Sequence, residues 1–260
     1  MAGSLVVVGT GIRAGLHLTQ ETRAHIEDAD DVLYLLAEVA PTEWIRRLNP
    51  SAESLLPLYR LDRDREDVYE EIVETTLTRV RAGRDVCLVT YGHPAVFDDA
   101  SQESVRRAIA EGYEARLLPA VSALDCLFVD LEVDPGAHGL QLHDATDFLI
   151  HRRTPDVTVP LVLWQVSVIG RTRASDTVNR EGLAILAERL AELYGHDHEV
   201  VVYEASPFPV GGPLIERVAL DRLPDAGVTG LCSLYVPPVS TATPDPAIRD
   251  RVAASGDATG

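Results

Sequence analysis

A buried strand that stops abruptly at a short loop containing glycine and proline is the feature that most constrains the fold of this chain. The strand covers 86–89, which is apolar and mostly β-branched. Gly92 and Pro94 end it, and possible capping residues then precede a segment at 102–111 with helical spacing. The segment 91–97 is therefore a loop at the carboxyl end of a buried strand, where open α/β sheets bind ligands. An ordinary strand-to-helix turn has the same pattern, so this loop alone leaves both interpretations open.

Strand and helix patterns alternate along the chain, which predicts an α/β fold in two lobes. Strand patterns occur at 5–8, 32–36, 86–89, 116–119, 161–166, 200–203 and 230–236, and helical patterns at 22–29, 41–48, 65–80, 102–111, 123–131 and 179–194. A boundary near Pro119 gives an amino-terminal lobe (1–118) and a carboxyl-terminal lobe (119–238). The segment 239–260 is rich in Ser, Thr, Ala, Asp and Pro, which predicts a polar tail.

Net charge excludes one large class of partners. The 260 residues include 23 Lys and Arg against 41 Asp and Glu, for a net charge of −18. This field repels phosphate backbones, so we expect no nucleic-acid partner. No apolar run is long enough to span a membrane, and the start has no basic region of a signal peptide, so we expect no membrane partner and a cytoplasmic location. Cys87, Cys126 and Cys232 lie singly in apolar runs, as buried thiols do.

Two other ligand signals in the sequence are weak. The glycines at 9–15 follow the pattern GxGxxxG and depart from the dinucleotide fingerprint GxGxxG. The acidic pair Asp30 and Asp31 precedes the second strand, whereas a ribose-binding acid follows it. His196 and His198 form a His-x-His pair whose simpler interpretation is a polar turn. We therefore disfavour nicotinamide binding and expect no metal site.

Tyr59, Arg65 and Tyr69 form the sharpest constellation of reactive residues. Arg65 and Tyr69 are four residues apart, which puts them on one face of the predicted helix. A tyrosine normally loses its proton near pH 10, and a fixed guanidinium lowers this pKa by favouring the phenolate. Such a pair can accept a proton or hold developing negative charge. Packing of Arg on Tyr at a helix surface gives the same spacing, so the spacing alone does not decide between the two.

An ordered set of motifs resembles a known superfamily. The motifs are Leu5–Gly11, Tyr91–Phe97, Leu118–Ala123 and Leu234–Pro238. In this order they resemble the tetrapyrrole-methylase-like, class III S-adenosylmethionine methyltransferases. Within that superfamily the chain is most similar to the borosin peptide backbone N-methyltransferases, on the segments 58–69, 81–84, 128–135 and 164–166. The resemblance covers about Leu5 to Pro238.

The resemblance implies a fold and a cofactor site. It implies two αβα lobes with S-adenosylmethionine folded in the cleft between them and S-adenosylhomocysteine as product. The implied cofactor residues are Tyr91, His93, Val96 and Phe97 along the methionine part, and Ser122, Ala123, Gln165, Tyr203, Ala205 and Ser233 around the rest. The loop with Gly9 and Gly11 borders the cleft. The implied base is Tyr69, with Arg65 and Tyr59 as orienting groups.

The resemblance also implies methylation of the backbone amides of a ribosomal precursor peptide by a homodimer. Cis-acting members of the family carry an apolar substrate peptide on the same chain, and 253–260 has no such composition. We therefore expect the precursor peptide to be a separate chain, although a longer chain cut before such a peptide would have the same ending. Two alternatives remain open. Methylation of a tetrapyrrole or another small molecule on the same fold would favour a basic cleft for the carboxylates of a tetrapyrrole. A non-catalytic cofactor-binding or docking domain would not require the Tyr and Arg constellation.

Overall fold

Two five-stranded sheets organise the protein. The computed structural model describes residues 2–13, 15–36, 39–60, 63–173, 175 and 177–257. The strands in this part are β1 (Ser4–Gly9), β2 (Asp31–Leu35), β3 (Glu53–Ser54), β4 (Asp85–Thr90), β5 (Glu114–Leu117), β6 (Gln141–Asp144), β7 (Leu161–Trp164), β8 (Glu199–Glu204), β9 (Leu214–Ala219) and β10 (Ser233–Val236). The helices are α1 (Gln20–Asp28), α2 (Val39–Leu48), α3 (Arg65–Arg81), α4 (Asp99–Ala110), α5 (Ala123–Asp130), α6 (Pro135–His138), α7 (Ala145–Ile150), α8 (Arg180–Tyr194) and α9 (Pro246–Asp257).

The first sheet is parallel and is covered on both faces. Its strand order is β3-β2-β4-β1-β5, so the apolar strands β4 and β1 lie next to each other near the centre. On one face, Val7 and Leu88 pack with α3 and α4. On the other face, Val8 and Val89 pack with α1 and α2. Burial on both faces explains why these strands are apolar without alternation, and it confirms the predicted αβα arrangement of this lobe.

The second sheet has mixed strand directions. Its order is β6-β7-β10-β8-β9, in which only β6 and β7 are parallel. Helices α7 and α8 cover one face and form its main apolar core. The opposite face packs against α5 through Leu127, and Ile12 from the loop after β1 joins the same cluster with Val162. The proposed boundary near Pro119 falls between β5 and α5, and it stays a prediction.

Side-chain caps fix the starts of three helices; α5 begins at Ala123 as predicted, whereas α1 and α4 begin two and three residues before the predicted starts. Thr19 caps α1 by accepting a hydrogen bond from the Thr22 backbone N–H. Asp98 caps α4 through the Ser101 N–H. Ser122 caps α5 in a capping box that Asp125 completes. Each cap satisfies amide donors that the first turn of a helix leaves without an internal acceptor, which is why the signal is readable locally.

Several elements differ from the sequence prediction. Strands β6 and β9 and helix α7 were not predicted. The strand expected at 161–166 ends at Trp164 because Gln165 has a left-handed backbone with φ 58°. The strand expected at 230–236 begins only at Ser233. The predicted polar tail is exposed, but it contains α9, which Asp245 caps through the Ala247 N–H.

The three cysteines differ in how far they are buried. Cys87 and Cys232 are buried as predicted, whereas Cys126 is only half-buried. Burial raises the pKa of the Cys87 thiol to about 12.

Among the described residues, none of the helices combines the length and the apolar character needed to cross a lipid bilayer. Residues 258–260 of the tail lie outside the described residues.

Candidate active site

A cleft of about 280 Å³ lies between the two sheets, at the carboxyl ends of the central parallel strands. The first lobe contributes the loop 90–99 after β4 and the side chains of Tyr59 and Tyr69. The second lobe contributes Trp164 and Gln165 after β7, and residues 230–233 at the start of β10. Loops that follow neighbouring parallel strands converge at one edge of a sheet, so the position of the cleft follows from the topology.

Close contact between two loops shapes the floor of this cleft. Gly11 and Gly92 exchange backbone hydrogen bonds, with both N–O distances 3.2 Å. This contact requires glycine at position 9, because an added Cβ would lie 2.1 Å from the Gly92 carbonyl oxygen. The predicted GxG segment therefore serves close packing of the loops after β1 and β4.

All of the cofactor residues implied by the resemblance line the cleft, with the exception of Tyr203. Tyr203 is fully buried, and its hydroxyl donates a 2.7 Å hydrogen bond to Asp130. Its side chain packs in the cluster of Leu127 and Val162, behind the cleft wall. Successive strand residues point to opposite faces, and here Glu204 and Ala205 line the cleft instead. The Tyr203 side chain therefore lies behind the cleft wall, and its implied place in the cofactor site stays a prediction.

Two residues of the cleft wall have strained backbones. Phe97 and Gln165 have φ values of 54° and 58°, in the left-handed region that side chains with a Cβ disfavour. Phe97 also contacts Trp164 from the other lobe, with ring centroids 5.4 Å apart. Strain of this kind costs about 1–3 kcal/mol for each residue and persists where the surroundings fix it, often at functional sites. The contact between Phe97 and Trp164 thus connects the two walls of the cleft at a residue with a strained backbone.

Tyr59 and Tyr69 meet at one end of the cleft. Tyr59 follows a single 3-10 turn, Leu56–Leu58, and Tyr69 lies in the second turn of α3. Their ring centroids are 6.4 Å apart in an edge-to-face arrangement. Arg65 does not line the cleft, but its positive charge acts on both hydroxyl groups. Its backbone N–H donates to the Thr172 carbonyl oxygen at 3.0 Å, which ties the start of α3 to the second lobe.

Burial sets the acidity of this tyrosine pair. It is the largest effect and raises the pKa of Tyr59 and of Tyr69. The Arg65 guanidinium lowers both pKa values, as expected, but by less than burial raises them. Both phenols are therefore protonated at neutral pH. Within the described residues, the Arg65 side chain makes no ion pair, so its charge stays available at the tyrosine end of the cleft.

Sequence reasoning missed two carboxylates of the cleft, Asp98 and Glu204. Both oxygens of Asp98 accept hydrogen bonds from Ser101, from the N–H at 3.0 Å and from the hydroxyl at 2.6 Å. Burial raises the pKa of the Asp98 carboxyl. Glu204 accepts hydrogen bonds from the Thr229 hydroxyl and, at 3.7 Å, from the Cys232 thiol. Asp98 was noted only as a cap, and the signal for Glu204 was its place at the end of a buried strand.

The two histidines before β8 differ in their surroundings, since His198 contacts other residues and His196 is exposed. His198 lies with its Nε2 2.9 Å from the Pro237 carbonyl oxygen, and its ring contacts Tyr194 at 5.1 Å. His196 is exposed. Over the part of the chain that the structure describes, no group of three or more His, Cys, Asp or Glu side chains is arranged to hold a metal ion.

Comparisons with known proteins agree with this arrangement. The family model described as Tetrapyrrole (Corrin/Porphyrin) Methylases matches residues 4–208. The solved structure of uroporphyrin-III-C-methyltransferase from Thermus thermophilus superposes with a TM-score of 0.63 at 21% sequence identity, covering 91% of this chain and 94% of that one. At this identity the superposition shows the fold alone.

Two curated relatives are more similar in sequence. A methyltransferase and gymnopeptide precursor from Gymnopus fusipes is 37% identical over 96% of this chain and 61% of its own length. A methyltransferase and type I borosin cyclic peptide precursor from Coprinopsis marcescibilis is 38% identical over 91% of this chain and 62% of its own length. The chain thus spans about three fifths of the length of these relatives. Since the family model covers most of the sequence, from the first strand to the loop after β8, this chain belongs to the tetrapyrrole methylase family.

Proposed function

We propose that this protein is an S-adenosylmethionine-dependent methyltransferase that N-methylates backbone amides of a ribosomally made precursor peptide. One observation carries the proposal: Tyr59 and Tyr69, under the charge of Arg65, open into the same cleft as the implied cofactor residues. The names of the curated relatives, which join a methyltransferase to a cyclic peptide precursor, support the same substrate class.

The lining of the cleft fits the chemistry of this cofactor. Phe97 and Trp164 offer flat apolar surface for a purine ring, and Ala205 and Ser233 leave room beside it. The Thr90 hydroxyl is buried in the wall beside the Asp98 carboxyl, so the wall also offers polar groups to a ligand. When bound, the cofactor supplies an electrophilic methyl group on a positively charged sulfur. A carboxylate such as Asp98 suits that charge.

The tyrosine end of the cleft would do the work of activation. An amide nitrogen is a poor nucleophile because its lone pair is delocalised into the carbonyl group. Tyr69 as phenolate takes the amide proton, while Arg65 and the Tyr59 hydroxyl stabilise the negative charge that develops on the carbonyl oxygen. Methyl transfer to the nitrogen would then leave the neutral thioether as product and a protonated Tyr69. The raised pKa of Tyr69 makes its phenolate a strong base, and a cation bound nearby lowers the cost of forming it.

The proposal includes two points about assembly. The peptide is a separate chain, and the enzyme is a homodimer. The resemblance to borosin methyltransferases, including systems in which peptide and enzyme are separate, supports both points. Methylation of a tetrapyrrole is disfavoured, because Asp98 and Glu204 would repel its carboxylates.

Mass spectrometry of a peptide substrate tests the proposal. The protein is incubated with S-adenosylmethionine and peptides with Val-, Ile- and Gly-rich segments, added as separate chains. We expect the peptide mass to increase by one methylene for each methyl group, and fragmentation to place the increase on backbone nitrogens. Binding of the cofactor without methylation of any added peptide would favour a docking or small-molecule function. Absence of cofactor binding in calorimetry would exclude the proposed reaction.

A further inference from the structure

The Asp98 carboxylate is held at the point where the cleft meets the tyrosine pair. Its side chain lines the cleft and is fixed by the two hydrogen bonds from Ser101. Its negative charge contributes to the raised pKa of Tyr59 and of Tyr69. Within the described residues, no Arg, Lys or His forms an ion pair with Asp98. Arg65 acts on the same two hydroxyl groups and burial raises the pKa of Asp98, so this corner holds a carboxylate that no side chain pairs with directly.

The Thr90 hydroxyl is a second polar group at this corner, and it lies beside the Asp98 carboxyl. Thr90 is 3% exposed, and its side chain favours the charged form of Asp98, against the larger opposing effect of burial. The neighbouring wall is aromatic, with Tyr91, Phe97 and Trp164. A compact, positively polarised group is what this polar corner would accept within an otherwise apolar wall.

The proposed reaction requires a positive charge at the same place. If Tyr69 takes the proton of the reacting nitrogen, then the part of the cleft beside Tyr69 would hold the methyl donor, which carries a positively charged sulfur. Asp98 lies next to Tyr69 and Tyr59 on the cleft side. The donor sulfur is positively charged before transfer and neutral after it. An interaction with a carboxylate in a site of low dielectric therefore exists for the donor and is lost for the product.

We propose that Asp98 is a specificity-determining residue that makes the cleft prefer the positively charged methyl donor over its neutral product. This inference rests on the proposed function and adds a discriminating group to it. The same preference favours release of the product after each transfer. That property matters for an enzyme that methylates several amides of one peptide in succession.

Calorimetry with two ligands tests this preference without requiring turnover. Dissociation constants for S-adenosylmethionine and S-adenosylhomocysteine are measured on the full chain and on Asp98→Asn. Asparagine caps helices as well as aspartate does and keeps the size of the side chain, so α4 is expected to remain intact. We expect the ratio of the product constant to the donor constant to fall by roughly 5- to 20-fold in Asp98→Asn. Asp98→Ser, a second neutral cap, gives the same result if the charge is responsible.

Asp99→Asn is the matched control. It removes the same charge from the next residue. Asp99 also lines the cleft and raises the pKa of Tyr69, but it is exposed to solvent. Water screens an exposed charge, so we expect the ratio to change by less than about twofold. An unchanged ratio in Asp98→Asn, or an equal change in Asp99→Asn, would overturn the inference while leaving the methyltransferase proposal intact. Failure of the wild-type chain to bind either ligand would instead refute the proposed function.

Discussion

At the scale of residues, the Tyr69 hydroxyl is the group on which the proposed reaction depends. We expect Tyr69→Phe to lower methyl transfer by about 10²–10⁴-fold, the usual contribution of a general base. Phenylalanine keeps the ring and its contact with Tyr59, so stability and cofactor affinity should change little. Initial rates from peptide mass spectra, compared with calorimetric affinity, measure the two effects separately. Methylation at the wild-type rate would show that the tyrosine pair is only packing.

The raised pKa of Tyr69 gives the reaction a predictable pH dependence. Burial favours the neutral phenol, so only a small fraction is phenolate at neutral pH. The phenolate is the active form, and raising the pH increases its fraction. We therefore expect the rate at low substrate to rise by about tenfold per pH unit from neutral into the alkaline range, up to the pKa of Tyr69 in the complex. The residual activity of Tyr69→Phe should lack this slope, and a slope shared by both proteins would assign the titration to another group.

At the scale of elements, the start of α5 combines a structural and a functional role. Ser122 accepts hydrogen bonds from the Leu124 and Asp125 amides, and it also lines the cleft. Ser122→Ala should lower the free energy of unfolding by about 1 kcal/mol and also weaken cofactor binding. Thr19→Ala removes the cap of α1 and is the matched control, because Thr19 does not line the cleft. Denaturant unfolding and calorimetry should show equal loss of stability but weaker binding only in Ser122→Ala. Equal affinities would limit Ser122 to capping.

Elements with local signals were predictable from the sequence, and elements without them were not. The strand at 86–89 and the helix at 65–80 have long apolar patterns, and their ends carry glycine or capping residues. By contrast, β6 and β9 are short and half-buried, and their pairing with β7 and β8 holds them in the sheet. Pairing of this kind depends on neighbours that are distant in sequence, so local propensity does not reveal it.

The candidate site divides in the same way. Most residues that the resemblance implied line one cleft, in part because loops after parallel strands converge, and their role in binding stays a prediction. The sequence did not reveal that the Tyr203 side chain points away from the cleft, since a motif does not tell which of two adjacent strand residues points into it. Burial has the largest effect on the pKa values of Tyr69 and Asp98. Burial depends on tertiary packing, so local sequence patterns do not reveal it. The charge at Arg65 was visible in the sequence, but the larger opposing effect of burial was not.

At the scale of the whole molecule, the proposed homodimer gives a direct expectation. Light scattering at micromolar concentration should give about twice the chain mass of 28.3 kDa. The expectation comes from the resemblance to borosin methyltransferases. The salt concentration should be varied, because the net charge of −18 opposes self-association at low ionic strength. A mass of one chain across these conditions would contradict the homodimer. It would leave the chemistry at Tyr69 unaffected.

The position of Ile12 has a consequence for engineering. This residue is 2% exposed, and it belongs to the first lobe in sequence but to the apolar cluster of the second lobe in space. A chimaera that joins the first lobe of one relative to the second lobe of another would place one parent's side chain in the other parent's core. The two lobes are therefore not exchangeable modules. A graft of the second lobe has to bring residues 10–13 with it, although they lie more than 100 positions earlier in the chain.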